Sequence, residues 1–299
     1  MRTYLDCIPC FFKQALEASR ISGASRITQK KVLDELAKIL PKFSLNTPPP
    51  LMGRVIYKLV SKLTKNLDPY REIKIKSNEL ALNIYPKLKR KVALSKDRLK
   101  KAIELAIAAN SIDYGVRNSL NIEEELKRIL REEEKTIKVE NKRFFEYEEF
   151  KKALNKAKTI LYLGDNAGEV VFDRVLIEEI KKIDKNKKII YAVKSKPIIN
   201  DALVEDALQA GIHKVAEIIL SGVDAPGTVL SLCSKEFLKV YKNADLIISK
   251  GQGNFEALSD KKRPIFYLFM AKCKTVANHL GCKLRDIILF HNLNNKVLK

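Results

Sequence analysis

The chain has 299 residues, 46% of them hydrophobic and 31% charged, a globular composition long enough for two domains and a core that needs no cross-links. No apolar run approaches the roughly 18 residues of a membrane span. Asp6 and Pro9 interrupt the place where a secretory leader carries its apolar stretch, so a cytoplasmic protein is expected. The formal net charge of +21 raises nucleic acid as a partner. No zinc-finger spacing or RNP aromatic pattern accompanies that charge. The lysines are spread singly along helices, and abundant Lys and Ile with four Gln and no Trp fit a thermophile's surface. Phosphate-rich ligands would be drawn to such a field, but neither specific nucleic-acid binding nor a membrane partner is expected. Five cysteines, an odd number, argue against a disulfide framework in a large cytoplasmic chain.

In chain order, residues 1–150 read as helices. Apolar spacing predicts one over 10–22, stopped by Gly23, and one over 30–40, stopped by Pro41. The run Pro48-Pro49-Pro50 reads as a stiff break before a basic helix over 51–63. Ser95 is placed to cap a helix to about residue 110, and Asn121 with Glu124 resembles a capping box opening one to about residue 134. From residue 151 the rhythm changes. Short apolar runs at 159–163, 188–193, 215–220, 246–249, 265–270 and 286–290 alternate with helical stretches, the pattern of a parallel sheet covered on both faces. The predicted architecture is α/β, with a helical N-terminal domain over 1–150 and a Rossmann-like, doubly wound, mostly parallel sheet domain over 151–299.

In such a sheet ligands bind beyond the carboxyl ends of the strands, and four strand-end loops are distinctive. The first is Gly164-Asp165-Asn166-Ala167-Gly168-Glu169, where Asp165 and Asn166 read either as helix caps or as hard oxygen ligands for a divalent cation. The second ends in Asn200-Asp201, whose acid could converge on the same ion. The third, 221–228, holds Asp224 between two glycines and reads equally well as a shaped turn. The fourth, Lys250-Gly251-Gln252-Gly253-Asn254, could cradle an anion on backbone N–H groups with Lys250 behind it. Together they suggest metal-assisted phosphate chemistry. Ala167 stands where a phospho-aspartyl mechanism would place a second Asp, which favours attack by metal-activated water. His213, His279 and His291 follow no ligand spacing. Cys7 and Cys10 form a C-x-x-C, with Cys273 a third thiol only if the C-terminal part folds back.

The ordered set of blocks resembles a known family. The blocks are Asp6-Cys7-Ile8-Pro9-Cys10, Asp68-Pro69-Tyr70, Asn110-Ser111-Ile112-Asp113-Tyr114-Gly115, 164–169, Asn200-Asp201, 221–228 and Ser249-Lys250-Gly251-Gln252-Gly253-Asn254. They resemble the DUF89 or ARMT1-like damage-control phosphatases in their stand-alone archaeal branch, of which the N-terminal C-x-x-C is typical. The resemblance implies a helical domain joined to a Rossmann-like domain. It also implies hydrolysis of phosphate esters of sugars and damaged metabolites with Mn, Ni, Co or Mg. By the same analogy Asp165, Asn166 and Asp201 would bind the metal. Asp224, Lys250 and Asn254 would hold substrate or orient water, beside Gly251 and Gly253. Asn110 and Asp113 would reach in from the helical domain. Asp165, Asn166, Asp224 and Lys250 are thus the expected catalytic group. Gln252 departs from the pattern, since many relatives carry Asp there. The rival expectations are a non-catalytic phosphometabolite-binding protein and an RNA-associated one.

Overall fold

The structure is a computed structural model that describes residues 1–109 and 144–292. The helix expected to open at Asn121 and the expected site residues Asn110 and Asp113 lie outside the described residues. Helices α1 (Cys7–Ile21), α2 (Arg26–Ile39) and α3 (Pro49–Thr64) come first. The proline run is no break before α3: Pro49 and Pro50 are its first turn, where a backbone N–H has no helical partner to lose. Helix α4 (Arg71–Ala93) runs through Pro86. The Ser95 hydroxyl donates to the Lys91 carbonyl at 2.8 Å, closing α4. Asp97, not Ser95, caps α5 (Arg98–Ala108) by accepting from the Lys100 N–H at 3.0 Å. Helix α6 is Tyr147–Lys156.

The sheet follows: β1 (Thr159–Leu163), α7 (Glu169–Ile183), β2 (Lys188–Val193), α8 (Val204–Gln209), β3 (Glu217–Leu220), α9 (Lys235–Asn243), β4 (Leu246–Lys250), α10 (Gln252–Leu258), β5 (Ile265–Met270), α11 (Lys274–Leu280) and β6 (Ile287–His291). The strand order is β3-β2-β1-β4-β5-β6. The first five strands are parallel, and β6 runs antiparallel to β5. From β1 the chain winds outward through β2 and β3, then returns to β1's other side with β4. The strand order therefore reverses between β1 and β4, where a crevice opens at the carboxyl ends. The register aligns those ends, with Leu163 opposite both Ala192 and Ser249.

One face of the sheet shares a buried apolar cluster with α4 to α7, and the other with Phe237 of α9, Phe255 of α10 and Leu280 of α11. Helices α1 to α3 form a third cluster around Phe11, Leu36, Met52 and Ile56. Strands begin just past residue 150, but α4 to α6 pack into the sheet's own core. Helix α3 leans onto the loop after β3, where a Cβ on Gly53 would come 2.6 Å from the Pro226 ring. Among the described residues no helix is long and apolar enough to cross a membrane.

Candidate active site

Backbone hydrogen bonds join the loops after β1 and β2. The Ala202 N–H donates to the Asp165 carbonyl at 2.8 Å, and the Ala167 N–H donates to the Asn200 carbonyl at 2.9 Å. Asn166 and Asp201 become bridge partners, so the two acidic strand ends converge as expected. The Asn166 amide nitrogen donates to Asp165 Oδ2 at 3.0 Å and to Glu169 Oε1 at 2.7 Å. Asp201 is buried, and its Oδ2 lies 3.5 Å from Lys194 Nζ but accepts no hydrogen bond among the described residues. Burial pushes Asp201 up to about 6 despite Lys194. Burial, followed by the neighbouring carboxylates of Glu169 and Asp201, holds Asp165 well above the usual carboxylate range. Crowded acids of this kind resist ionisation without a cation between them.

Asp165, Asn166 and Asp201 line a cleft of about 330 Å³ together with Gly253 and Lys272 from the sheet side and Tyr57 of α3 from above. Among the described residues no three of His, Cys, Asp and Glu stand together as a ready metal cage. A hard cation such as Mg or Mn needs less, since it binds through one or two carboxylates and completes its shell with water and substrate phosphate. Two carboxylates, Asp165 and Asp201, and the amide oxygen of Asn166 fit that requirement, with Asp201 Oδ2 accepting no hydrogen bond among the described residues.

The fourth loop serves the site differently from the expected cradle. Gly251 has φ +78°, and a Cβ there would come 2.0 Å from Asp165 Oδ2, so the glycine makes room for the carboxylate. A Cβ on Gly253 would come 2.5 Å from the Pro226 carbonyl oxygen, which packs this loop on the third one. Lys250 does not face the cleft: it is fully buried, with Nζ 2.6 Å from Asp173 Oδ1 and 3.5 Å from Glu169 Oε2. Burial opposes its charge, but Asp173 and Glu169 hold its pKa above the ordinary lysine value. Asn254 is also fully buried. Its Oδ1 accepts from the Thr228 N–H and hydroxyl, and its Nδ2 donates to the Gly164 and Lys250 carbonyls. It ties three strand-end loops together and keeps no atom for a substrate.

Asp224 opens instead onto an adjoining pocket of about 520 Å³ that shares Tyr57 and Ile199 with the cleft. Its carboxylate accepts from Arg54 Nε at 2.5 Å and Lys58 Nζ at 2.8 Å. Partial burial works against ionisation there, but those two cations keep its pKa below the usual carboxylate range. Arg54, Lys58 and Lys272 are the site cations that sequence reasoning missed. The composition of the basic helix was the available signal for the first two, and the strand-end position after β5 for the third. The C-terminal part does fold back: Cys273 is near enough to Cys7 to add to the rise that burial gives the Cys7 thiol. Gln252 donates to Cys273 Sγ at 3.5 Å, and all five thiols are free.

A sheet of Rossmann strand order, roofed by helices over two converging acids at its reversal point, defines a class of α/β enzyme built to handle a small ligand at a polar cleft. The particular family is shown by comparison. Residues 3–288 match the Damage-control phosphatase ARMT1-like domain, and the chain belongs to that family of phosphatases. It is 38% identical to a damage-control phosphatase of Pyrococcus horikoshii over 295 residues, 98% of this chain and 99% of the relative. It is 33% identical to a damage-control phosphatase of Archaeoglobus fulgidus over 286 residues, 94% of this chain and 96% of the relative. The crystal structure of a DUF89 family protein from Pyrococcus horikoshii superposes with a TM-score of 0.88 at 34% identity, over 98% of this chain and 99% of that one.

Proposed function

We propose that the protein is a cytoplasmic, metal-dependent phosphatase that hydrolyses phosphate monoesters of small sugar-like or damaged metabolites. The observation that carries this reading is buried Asp201, the bridge partner of Asn166 next to Asp165, whose Oδ2 accepts no hydrogen bond among the described residues and has only the 3.5 Å ion pair with Lys194. Asp165, Asn166 and Asp201 would hold Mn, Ni, Co or Mg. The ion would supply charge neutralisation at the phosphoryl oxygens and an activated water when bound. Lys272, in the cleft wall, would meet the phosphate dianion. The leaving group would extend into the adjoining pocket, where Ser61, Asp68 and Asp224 offer polar atoms between the apolar walls of Leu67, Pro69 and Ile198. Free thiols throughout agree with a reducing compartment.

The test is hydrolysis of para-nitrophenyl phosphate and a panel of phosphometabolites with added Mn²⁺ or Ni²⁺, with and without EDTA. Turnover that EDTA abolishes, and that Asp165→Asn and Asp201→Asn each remove while the fold survives, is the expected result. Metabolite binding without turnover would point to the non-catalytic reading, and salt-sensitive RNA retention without turnover to the RNA-associated one.

A further inference from the structure

Behind the cleft lies a buried polar chain that the proposed chemistry does not use directly. Asp173 of α7 is fully buried against the sheet. Its Oδ1 accepts from the Tyr162 hydroxyl at 2.7 Å and Lys250 Nζ at 2.6 Å, and its Oδ2 accepts from the Tyr191 hydroxyl at 2.7 Å. The two tyrosine rings stack with centroids 5.2 Å apart, so the carboxylate is pinned from two strands. The anchored ammonium of Lys250 stands 3.5 Å from Glu169 Oε2, while Glu169 Oε1 takes an N–H from Asn166 at 2.7 Å. The second N–H of the same amide goes to Asp165 Oδ2 at 3.0 Å.

An amide side chain has one donor end and one acceptor end of nearly equal shape. Its usefulness to a cation depends on which end faces the cleft. With both N–H bonds drawn to carboxylates, the amide nitrogen is fixed, and the opposite orientation would set Oδ1 against two acids. We infer that Glu169, held in place by Lys250 and Asp173, is a positioning residue that polarises the Asn166 amide so that its oxygen, never its nitrogen, is presented to a cation beside Asp165 and Asp201. Lys250 therefore acts on the site through Glu169 and Asn166, without touching substrate. This inference rests on the reading of Asp165, Asn166 and Asp201 as cation ligands.

The test reads Mn²⁺ affinity directly, by electron paramagnetic resonance of the free ion, so it does not depend on turnover. Glu169→Gln is isosteric but supplies a donor, which lets the Asn166 amide turn over. Mn²⁺ affinity is expected to fall about 10- to 100-fold, the range for losing a partner that orients a metal ligand, with circular dichroism unchanged. Asn166→Asp removes the wrong end altogether, because a carboxylate has two acceptor oxygens. In that background Glu169→Gln is expected to cost far less Mn²⁺ affinity than in the native one, because no amide is left to be oriented. A merely structural role for Glu169 would weaken binding equally in both backgrounds. Should the single Gln variant be too unstable to titrate, comparing N166D with N166D/E169Q decides alone. Native protein that binds Mn²⁺ while E169Q binds it equally tightly, or losses that add in the double variant, would overturn this inference and leave the metal reading intact. Native protein that binds no Mn²⁺ would overturn both.

Discussion

Lys250 separates two readings of the fourth loop by experiment. If its ammonium met the substrate phosphate, Lys250→Met would raise KM and lower kcat while leaving stability nearly untouched. The structure predicts the opposite balance. The side chain is fully buried and its 2.6 Å bond to Asp173 is charge-assisted. Removing it leaves Asp173 with two tyrosine hydroxyls and without its ammonium partner, and Glu169 loses the ammonium 3.5 Å from its Oε2. Breaking a buried ion pair from one side costs about 3–5 kcal/mol, because the remaining charge stays desolvated. Equilibrium urea unfolding should show a loss of that size for Lys250→Met at pH 7. Lys250→Met with Asp173→Asn should recover most of it, since one tyrosine hydroxyl can still donate to the neutral amide oxygen and the other can accept from the amide N–H. The sign of the pH dependence is also fixed. Burial already pushes Asp173 up with Lys250 present, and without the lysine only the Tyr162 and Tyr191 hydroxyls oppose that push. A carboxyl group whose folded pKa lies above its unfolded one favours the folded state at low pH and loses that advantage as pH rises. The deficit of Lys250→Met against native protein should therefore shrink on acidification. A variant of native stability whose only defect is a raised KM would refute the buried-pair reasoning.

Three further outcomes follow from the site. Gly251→Ala should reduce activity more than 100-fold, on the order of 3 kcal/mol from a strained φ and a displaced carboxylate; its φ is +78° and the new Cβ would lie 2.0 Å from Asp165 Oδ2, and a variant with native kcat/KM would refute the close approach. Cys7→Ser with Cys10→Ser should leave phosphatase activity largely intact, because hard cations prefer oxygen to sulfur; loss of activity together with a bound zinc or iron would contradict this. Asp201 sits at about 6, so Mn²⁺ affinity measured by calorimetry should fall as pH drops through that value, while the metal-free protein gains stability from the same protonation; parallel trends would refute the assignment.

The strands were legible because each is a short continuous apolar run between helices: β1, β2 and β5 lie where the sequence places them. β3 starts at Glu217 instead of Val215 because Val215 and Ala216 close a turn back to Ile212. Helix α4 was hidden by Pro86 and by lysines on several faces; its apolar side, Ala81, Ile84 and Leu88, packs in the sheet's core. Asp165, Asn166 and Asp201 were visible because acids at strand ends have a small set of uses. The burial of Lys250 is legible in the alternation of β4. Alternate residues of a strand share a face. Leu246 and Ile248 belong to the core on the α7 side and Ile247 to the opposite one. Lys250 must then point with Leu246 and Ile248, toward α7 and Asp173. Asp224's partners were not legible, since Arg54 and Lys58 lie some 170 residues away in sequence and meet it only when α3 roofs the sheet.

That roof also explains how so basic a chain can carry an acidic site. Asp165 and Asp201 lie at the base of the cleft, with Glu169 behind them, and Asp201 and Glu169 are buried with little solvent to screen them. Lys272 stands in the cleft wall, and Lys58, Lys62 and Lys196 line the adjoining pocket. A cation drawn to the base and a phosphate dianion drawn to the rim are thus selected by opposite fields within one opening, and the rim field reaches farther because it belongs to the protein's net charge. Lys250, enclosed behind the acids, contributes nothing to the rim and works only by fixing carboxylates in place. The two kinds of lysine should therefore separate under salt. Screening the rim slows capture of an anionic substrate, while the buried ammonium, out of reach of mobile ions, continues to hold Glu169.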